Sequence, residues 1–264
     1  MINKKNLRDI ILAGISKEIV LFEDSVDLEN IETEYVNEYR FNSEEAREFI
    51  NRNFSEKQSL DSTLQDRIVL GVTNFDFYGG RVFINFEKGS YKIHLATLEP
   101  GYREYIENRN FFMVPLFLMN IVVTRDDKIV TVKTRNGQFG LIGNFLGDGD
   151  VIGEKINFFS ASFSEISKKI GNAYLCNSKL LGVFKSTCCF LVLRYDTNSS
   201  GREIEKVLEL AGESGGETLC LVKNREDDLG EVIENPNFTA EARIALKFYM
   251  KNIFRNYKHI NTKI

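Results

Sequence analysis

The sequence contains no tract of a single charge sign. Its 34 lysines and arginines and 38 acids, net −4, are interspersed along all 264 residues, so no basic stripe or tail is offered to duplex nucleic acid or to an anionic membrane. No segment approaches the ~18 uninterrupted apolar residues of a membrane span, and the apolar patch near the amino terminus is broken by Lys17 and Glu18 before it reaches the length of a secretory signal. A cytoplasmic protein without duplex nucleic-acid or membrane partners is expected. Cysteine is sparse: the four, Cys176, Cys188, Cys189 and Cys220, lack paired metal spacing, and two are adjacent in an apolar run, which points to buried structural thiols. The two histidines, His94 and His259, have no second ligand spaced nearby, so no Ser-His-Asp or Cys-His arrangement is legible. There is no internal repeat, low-complexity tract or linker.

What is present is a globular balance, 43% hydrophobic and 27% charged, enough apolar surface for a real core. Residues 1–65 are polar and helix-permissive, with "NSEEAREFINRNF" showing a Ser43 cap and Ala46, Phe49 and Ile50 on one face. A helical preamble is expected there. "RIVLGV", "RVFINFE" and "YKIHLATL" then follow as β-rich runs separated by turn residues, an antiparallel extension over 66–110. "PGYREYIENR" has the start and polar face of a short surface helix. "FLMNIVVT" and "KIVTVKT", joined by "RDDK", form a hairpin, and "QFGLIG" continues the sheet.

Next comes "GNFLGDGDVIGEK", a loop with four glycines and three acids, Asp148, Asp150 and Glu154. It is no calcium loop, because Phe159 stands where the twelfth-position acid belongs. After it Ile156, Phe159, Phe163, Ile166 and Ile170 recur at three- and four-residue steps, and Gly171 stops the pattern. The spacing predicts a helix over 156–170 with those five residues against the sheet. "STCCFLVLRY" and "ETLCLVK" read as two more strands, and "TAEARIALKFYMKNIF" as a terminal helix opened by Thr239.

This order, a hairpin, a strand, an acidic glycine loop, one helix ending in Gly, then further strands and a final helix, resembles the Nudix fold over roughly residues 66–255. The resemblance implies an α/β/α sandwich with a mixed central sheet in a domain spanning 66–264. Tyr102, Tyr105 and Asn108 in "GYREYIEN" are similar to a Y-x-x-Y helix ending in Asn that precedes the core in the UDP-sugar-hydrolysing branch. In this family the pattern G-x5-E-x7-R-E-U-x-E-E-x-G-U, with U a bulky aliphatic, places acids that hold Mg²⁺ against a pyrophosphate. Residues Ser164 to Gly171 fall on R-E-U-x-E-E-x-G. Glu165 and Gly171 match; the E-E pair is replaced by Lys168 and Lys169. Upstream, Glu154 or Asp150 is the counterpart of the isolated Glu, at longer spacing than the pattern has.

Residues 165, 168 and 169 stand at i, i+3 and i+4, so their side chains share a helical face. Three acids there would form the oxygen site that Mg²⁺ requires; lysine has donors and no lone pair, and repels a cation. Three readings follow. In the first, Lys168 and Lys169, with Lys133 and Arg135 from the strand before the loop, hold the phosphates of a nucleotide or nucleotide-sugar directly, and hydrolysis is lost. In the second, Asp148, Asp150 and Glu154 relocate the Mg²⁺ site to the loop, Glu165 acts as base, and the chain is a pyrophosphohydrolase; Glu213 and Glu217 are candidates for a further carboxylate. In the third, the charged face is solvated, Glu165 pairs with Lys169, and the chain is a protein-interaction scaffold.

Overall fold

A computed structural model describes residues 2–3, 19–38, 43–102, 113–134, 137–171, 173–211 and 218–261. Two sheets dominate. The smaller has the order β1-β5-β6-β4, built from β1 (Ile2–Asn3), β4 (Ile31–Glu38), β5 (Ile68–Tyr78) and β6 (Arg81–Ser90). β5 and β6 form the antiparallel hairpin read from the sequence, with Gly79 and Gly80 at positive φ in its turn; β4 lies parallel to β6.

The larger sheet is mixed and nine-stranded. Its path runs β15 (Thr218–Lys223), β8 (Lys128–Lys133), β7 (Leu116–Val123), β14 (Cys189–Thr197), β13 (Leu175–Lys185) and β2 (Ile19–Phe22). β3 (Val26–Asp27) pairs with β13, β9 (Phe139–Gly140) with β8, and β10 (Ile142–Phe145) with β7. β7 and β14 are parallel along their whole length; every other described pairing in this sheet is antiparallel. β7 is buried on both faces: Leu116, Leu118 and Val122 enter one core, Met119, Ile121 and Val123 the other. That is why "LFLMNIVV" is an almost continuous apolar run rather than an alternating one.

Helices α1 (Glu44–Leu60), α2 (Tyr91–Thr97), α3 (Phe158–Ile170) and α4 (Gly201–Ala211) belong with the smaller sheet on the first core. Helices α5 (Glu226–Glu234) and α6 (Ala240–Asn261) cover the other face. The result is an α/β/α sandwich about a mixed sheet. Gly182 lets α6 approach, since a Cβ there would collide with the Phe248 ring. Among the described residues no helix is long and apolar enough to cross a membrane.

The described residues before 66 are not a helical preamble. Among them the α-helix is Glu44–Leu60, with Ser43 accepting from the Ala46 N–H at 3.4 Å, and Leu28–Asn30 is a single 3₁₀ turn. Residues 31–38, "IETEYVNE", alternate with period two and form a strand. Strands from this segment are hydrogen-bonded into both sheets. "YKIHLATL" is the helix α2 rather than a strand: Ile93, His94, Ala96 and Thr97 bury a face at helical spacing, and Asp66 accepts from the Lys92 N–H at 3.2 Å in its first turn. Pro100–Tyr102 is a 3₁₀ turn; the rest of the expected surface helix, with Tyr105 and Asn108, lies outside the described residues.

Candidate functional site

The glycine loop and the helix after it form the site. α3 begins one residue after its cap, Asn157, whose side chain accepts from the Ser160 N–H at 2.9 Å; it ends at Gly171, φ +78°, whose N–H donates to the Ser167 carbonyl. Ile156 belongs to β12 (Lys155–Ile156), which forms a small hairpin with β11 (Val151–Ile152). The cap fixes the helical phase, so Phe158, Ala161, Ser162, Ile166 and Ile170 are buried. Phe159 and Phe163, expected in the core, are 44% and 38% exposed and stack on each other on the flank.

The same phase moves Glu165. It follows Phe158 by seven residues and Ala161 by four, positions that share the sheet-facing side, and its side chain is only 16% exposed. Lys168 reaches back to it from the last turn, Nζ to Oε2 3.2 Å. The partner expected from sequence was Lys169, which is half-buried on the flank. Both lysines also stand where the helix dipole favours a cation.

The acidic loop packs against this helix. Residues 148–150 make one 3₁₀ turn, closed by Asp150 Oδ2 accepting from the Gly147 N–H at 2.8 Å. Asn157 N–H donates to the Asp150 carbonyl at 2.8 Å, and Leu70 N–H on β5 to the Leu146 carbonyl at 2.8 Å. The turn is thus pinned between α3 and the smaller sheet. Burial raises the Asp150 carboxyl above the usual carboxylate range, opposed by the Gly147 hydrogen bond and by the charges of Lys168 and Arg67. Asp148 is ion-paired at 2.5 Å with Lys88 of β6. Arg67, at the head of β5, lies over the Tyr91 and Phe145 rings, 5.6 and 5.7 Å from their centroids.

Glu165 and Lys168 are therefore paired beside the turn that holds Asp150, whose pKa the Lys168 charge acts to lower. Glu154 is not part of the group; it sits in the exposed β11–β12 turn beside Gly153. Lys133 ends β8 with the register of Ile129, which faces the α5/α6 core, and its ammonium stands 5.7 Å from the Phe139 ring centroid. α3 lies on the opposite face of that sheet. Arg135, Glu213 and Glu217 lie outside the described residues. Sequence reasoning missed Arg67 and Lys88, because nothing local in "DRIVLGV" or "FEKGS" signals that the smaller sheet delivers them to this turn.

The donors present do not fit Mg²⁺. Lys168 offers no lone pair, Glu165 and Asp148 are engaged by lysines, and among the described residues no three of His, Cys, Asp and Glu gather closely enough to hold a metal ion. A thiol nucleophile is equally unsupported. Cys188 Sγ and His94 Nε2 approach to 3.8 Å, yet burial pushes the thiol up to about 12 and the imidazole down to about 4, so both stay neutral.

No protein-family model and no curated protein matches the sequence. Among solved structures the chain is similar to Tm1382, a Nudix hydrolase by provisional assignment, with 13% identity and TM-score 0.42 over 56% of this chain and 76% of that one. It is also similar to an ADP compounds hydrolase, with 9% identity and TM-score 0.33 over 76% of this chain and 95% of that one.

Proposed function

We propose that this protein binds a nucleotide or nucleoside-diphosphate-linked ligand through its phosphates, without metal and without efficient hydrolysis. The observation that carries this reading is the position of Lys168, whose ammonium is ion-paired with Glu165 at 3.2 Å and whose charge acts to lower the Asp150 pKa. A tethered cation occupies the role a divalent ion would need there. A lysine ammonium is a point charge that phosphate oxygens can meet directly, and with its side chain 65% exposed it is reachable from solvent. Lys169 lies one residue on, at the same helix end.

Relocating Mg²⁺ to the loop is disfavoured by the fates of its three acids. Asp148 is paired with Lys88, Asp150 closes its own turn, and Glu154 projects from a separate hairpin. Thermal-shift screening of nucleotides and UDP-sugars, with and without Mg²⁺, separates the readings, because a ligand bound to the native state raises apparent stability. Shifts of equal size in EDTA and in Mg²⁺ are expected. Shifts that require Mg²⁺ favour the pyrophosphohydrolase, and silence across the panel favours the scaffold.

A further inference from the structure

Resting on that reading, we propose that the phosphate site is shared between the smaller sheet and α3 and held closed by its own carboxylates. Arg67 and Lys88 from the smaller sheet join Lys168 of α3 around the turn of residues 148–150. Asp148 and Glu165 occupy two of these cations until a diphosphate displaces them.

Three observations support this. First, the cations come from three separate elements packed on one turn: Lys88 is ion-paired with Asp148 of the turn, Lys168 with Glu165 on the helix whose cap residue is bonded to Asp150, and Arg67 lies over the Phe145 ring just before the turn; the charges of Lys168 and Arg67 also act to lower the Asp150 pKa against burial. Second, the turn is fixed between the smaller sheet and α3 by the Leu70–Leu146 and Asn157–Asp150 backbone bonds, so the cations face a defined surface rather than a loose loop. Third, the charges balance. Arg67, Lys88 and Lys168 are matched by Asp148, Asp150 and Glu165, so the resting site presents little net field, and an anion must replace a carboxylate rather than add to the cluster.

A diphosphate suits the exchange. It carries more negative charge than a carboxylate and spreads its acceptor oxygens over two phosphoryl groups. The Asp148–Lys88 pair is the weaker latch, because the Asp148 side chain is 54% exposed and exposed pairs contribute little. Removing the Asp148 charge takes this carboxylate away from Lys88 and leaves the turn intact, since the bond that closes the turn belongs to Asp150.

The test is calorimetric titration of the full chain with inorganic pyrophosphate, and in parallel with uridine diphosphate, in EDTA at low salt. Asp148→Asn should bind pyrophosphate about threefold more tightly than wild type, the loss of one exposed pair. Lys88→Met should bind about tenfold more weakly, the loss of one charge-assisted contact. Thermal melts check that both variants are folded. If wild type binds but Asp148→Asn is no tighter, or Lys88→Met is unchanged, the shared, self-closed site is wrong while metal-free phosphate binding stands. If neither wild type nor Asp148→Asn binds either probe, both are wrong. Equal response to the two probes assigns recognition to the diphosphate alone, and a response to uridine diphosphate only overturns that assignment.

Discussion

His94 should make the fold acid-labile, and the size of the effect can be worked out. The residue is 4% exposed on α2; among the described residues its Nδ1 has no hydrogen-bond partner and its Nε2 meets the Cys188 thiol at 3.8 Å. Desolvation lowers its pKa from 6.5 to about 4. As pH falls through 6.5 the unfolded chain takes up a proton that the folded chain refuses until about pH 4, so stability is lost across that window and not regained below it. At 1.36 kcal/mol per pKa unit the total loss is about 3 kcal/mol. That is a large part of a typical domain stability. Guanidinium denaturation at several pH values between 7.5 and 4, on wild type and His94→Leu, isolates the effect, because the carboxylates common to both proteins cancel. His94→Leu should lose less stability than wild type on acidification, by about 3 kcal/mol. Parallel losses would show that the imidazole is solvated or protonated in the fold.

Lys185 is 1% exposed on β13, and burial lowers its pKa from 10.5 to about 8. Its folded form still carries the charge at pH 7, so Lys185→Met should stabilise the protein there by about 1–3 kcal/mol. The gain should shrink as pH rises from 8 toward 10.5, as denaturation midpoints will show. Ile166→Ala removes a core side chain 1% exposed and should cost about 2–5 kcal/mol by chemical denaturation; a cost below 1 kcal/mol would place α3 off the sheet.

Much of the large sheet is legible because its strands follow simple patterns: the turn "RDDK" closes β7 onto β8, and "STCCFLVLRY" and "ETLCLVK" are β14 and β15; β13 is not, because "CNSK" breaks its apolar pattern. The preamble was misread because its polar composition masked a period-two strand at 31–38, and α2 because "YKIHLATL" is too short for periodicity to arbitrate. On α3 two apolar stripes share Ile166 and Ile170, and only the Asn157 cap decides that Phe158 rather than Phe159 is buried. The Lys168–Lys169 substitution was visible in sequence; the sites of Arg67 and Lys88 were not, since their approach to the turn depends on how the smaller sheet packs on the loop. Local spacing carries no information about such a contact.

The central claim is that cations of α3, not a metal, meet the ligand phosphates. Titrating wild type and Lys168→Glu/Lys169→Glu with uridine diphosphate in EDTA, at two salt concentrations, addresses it most directly. Wild type should bind without metal, more weakly as salt rises because partly exposed charge pairs are screened, and the double variant should not bind. Equal binding by the two proteins with metal removed would leave those lysines as a solvated helix end and refute metal-free phosphate recognition by α3.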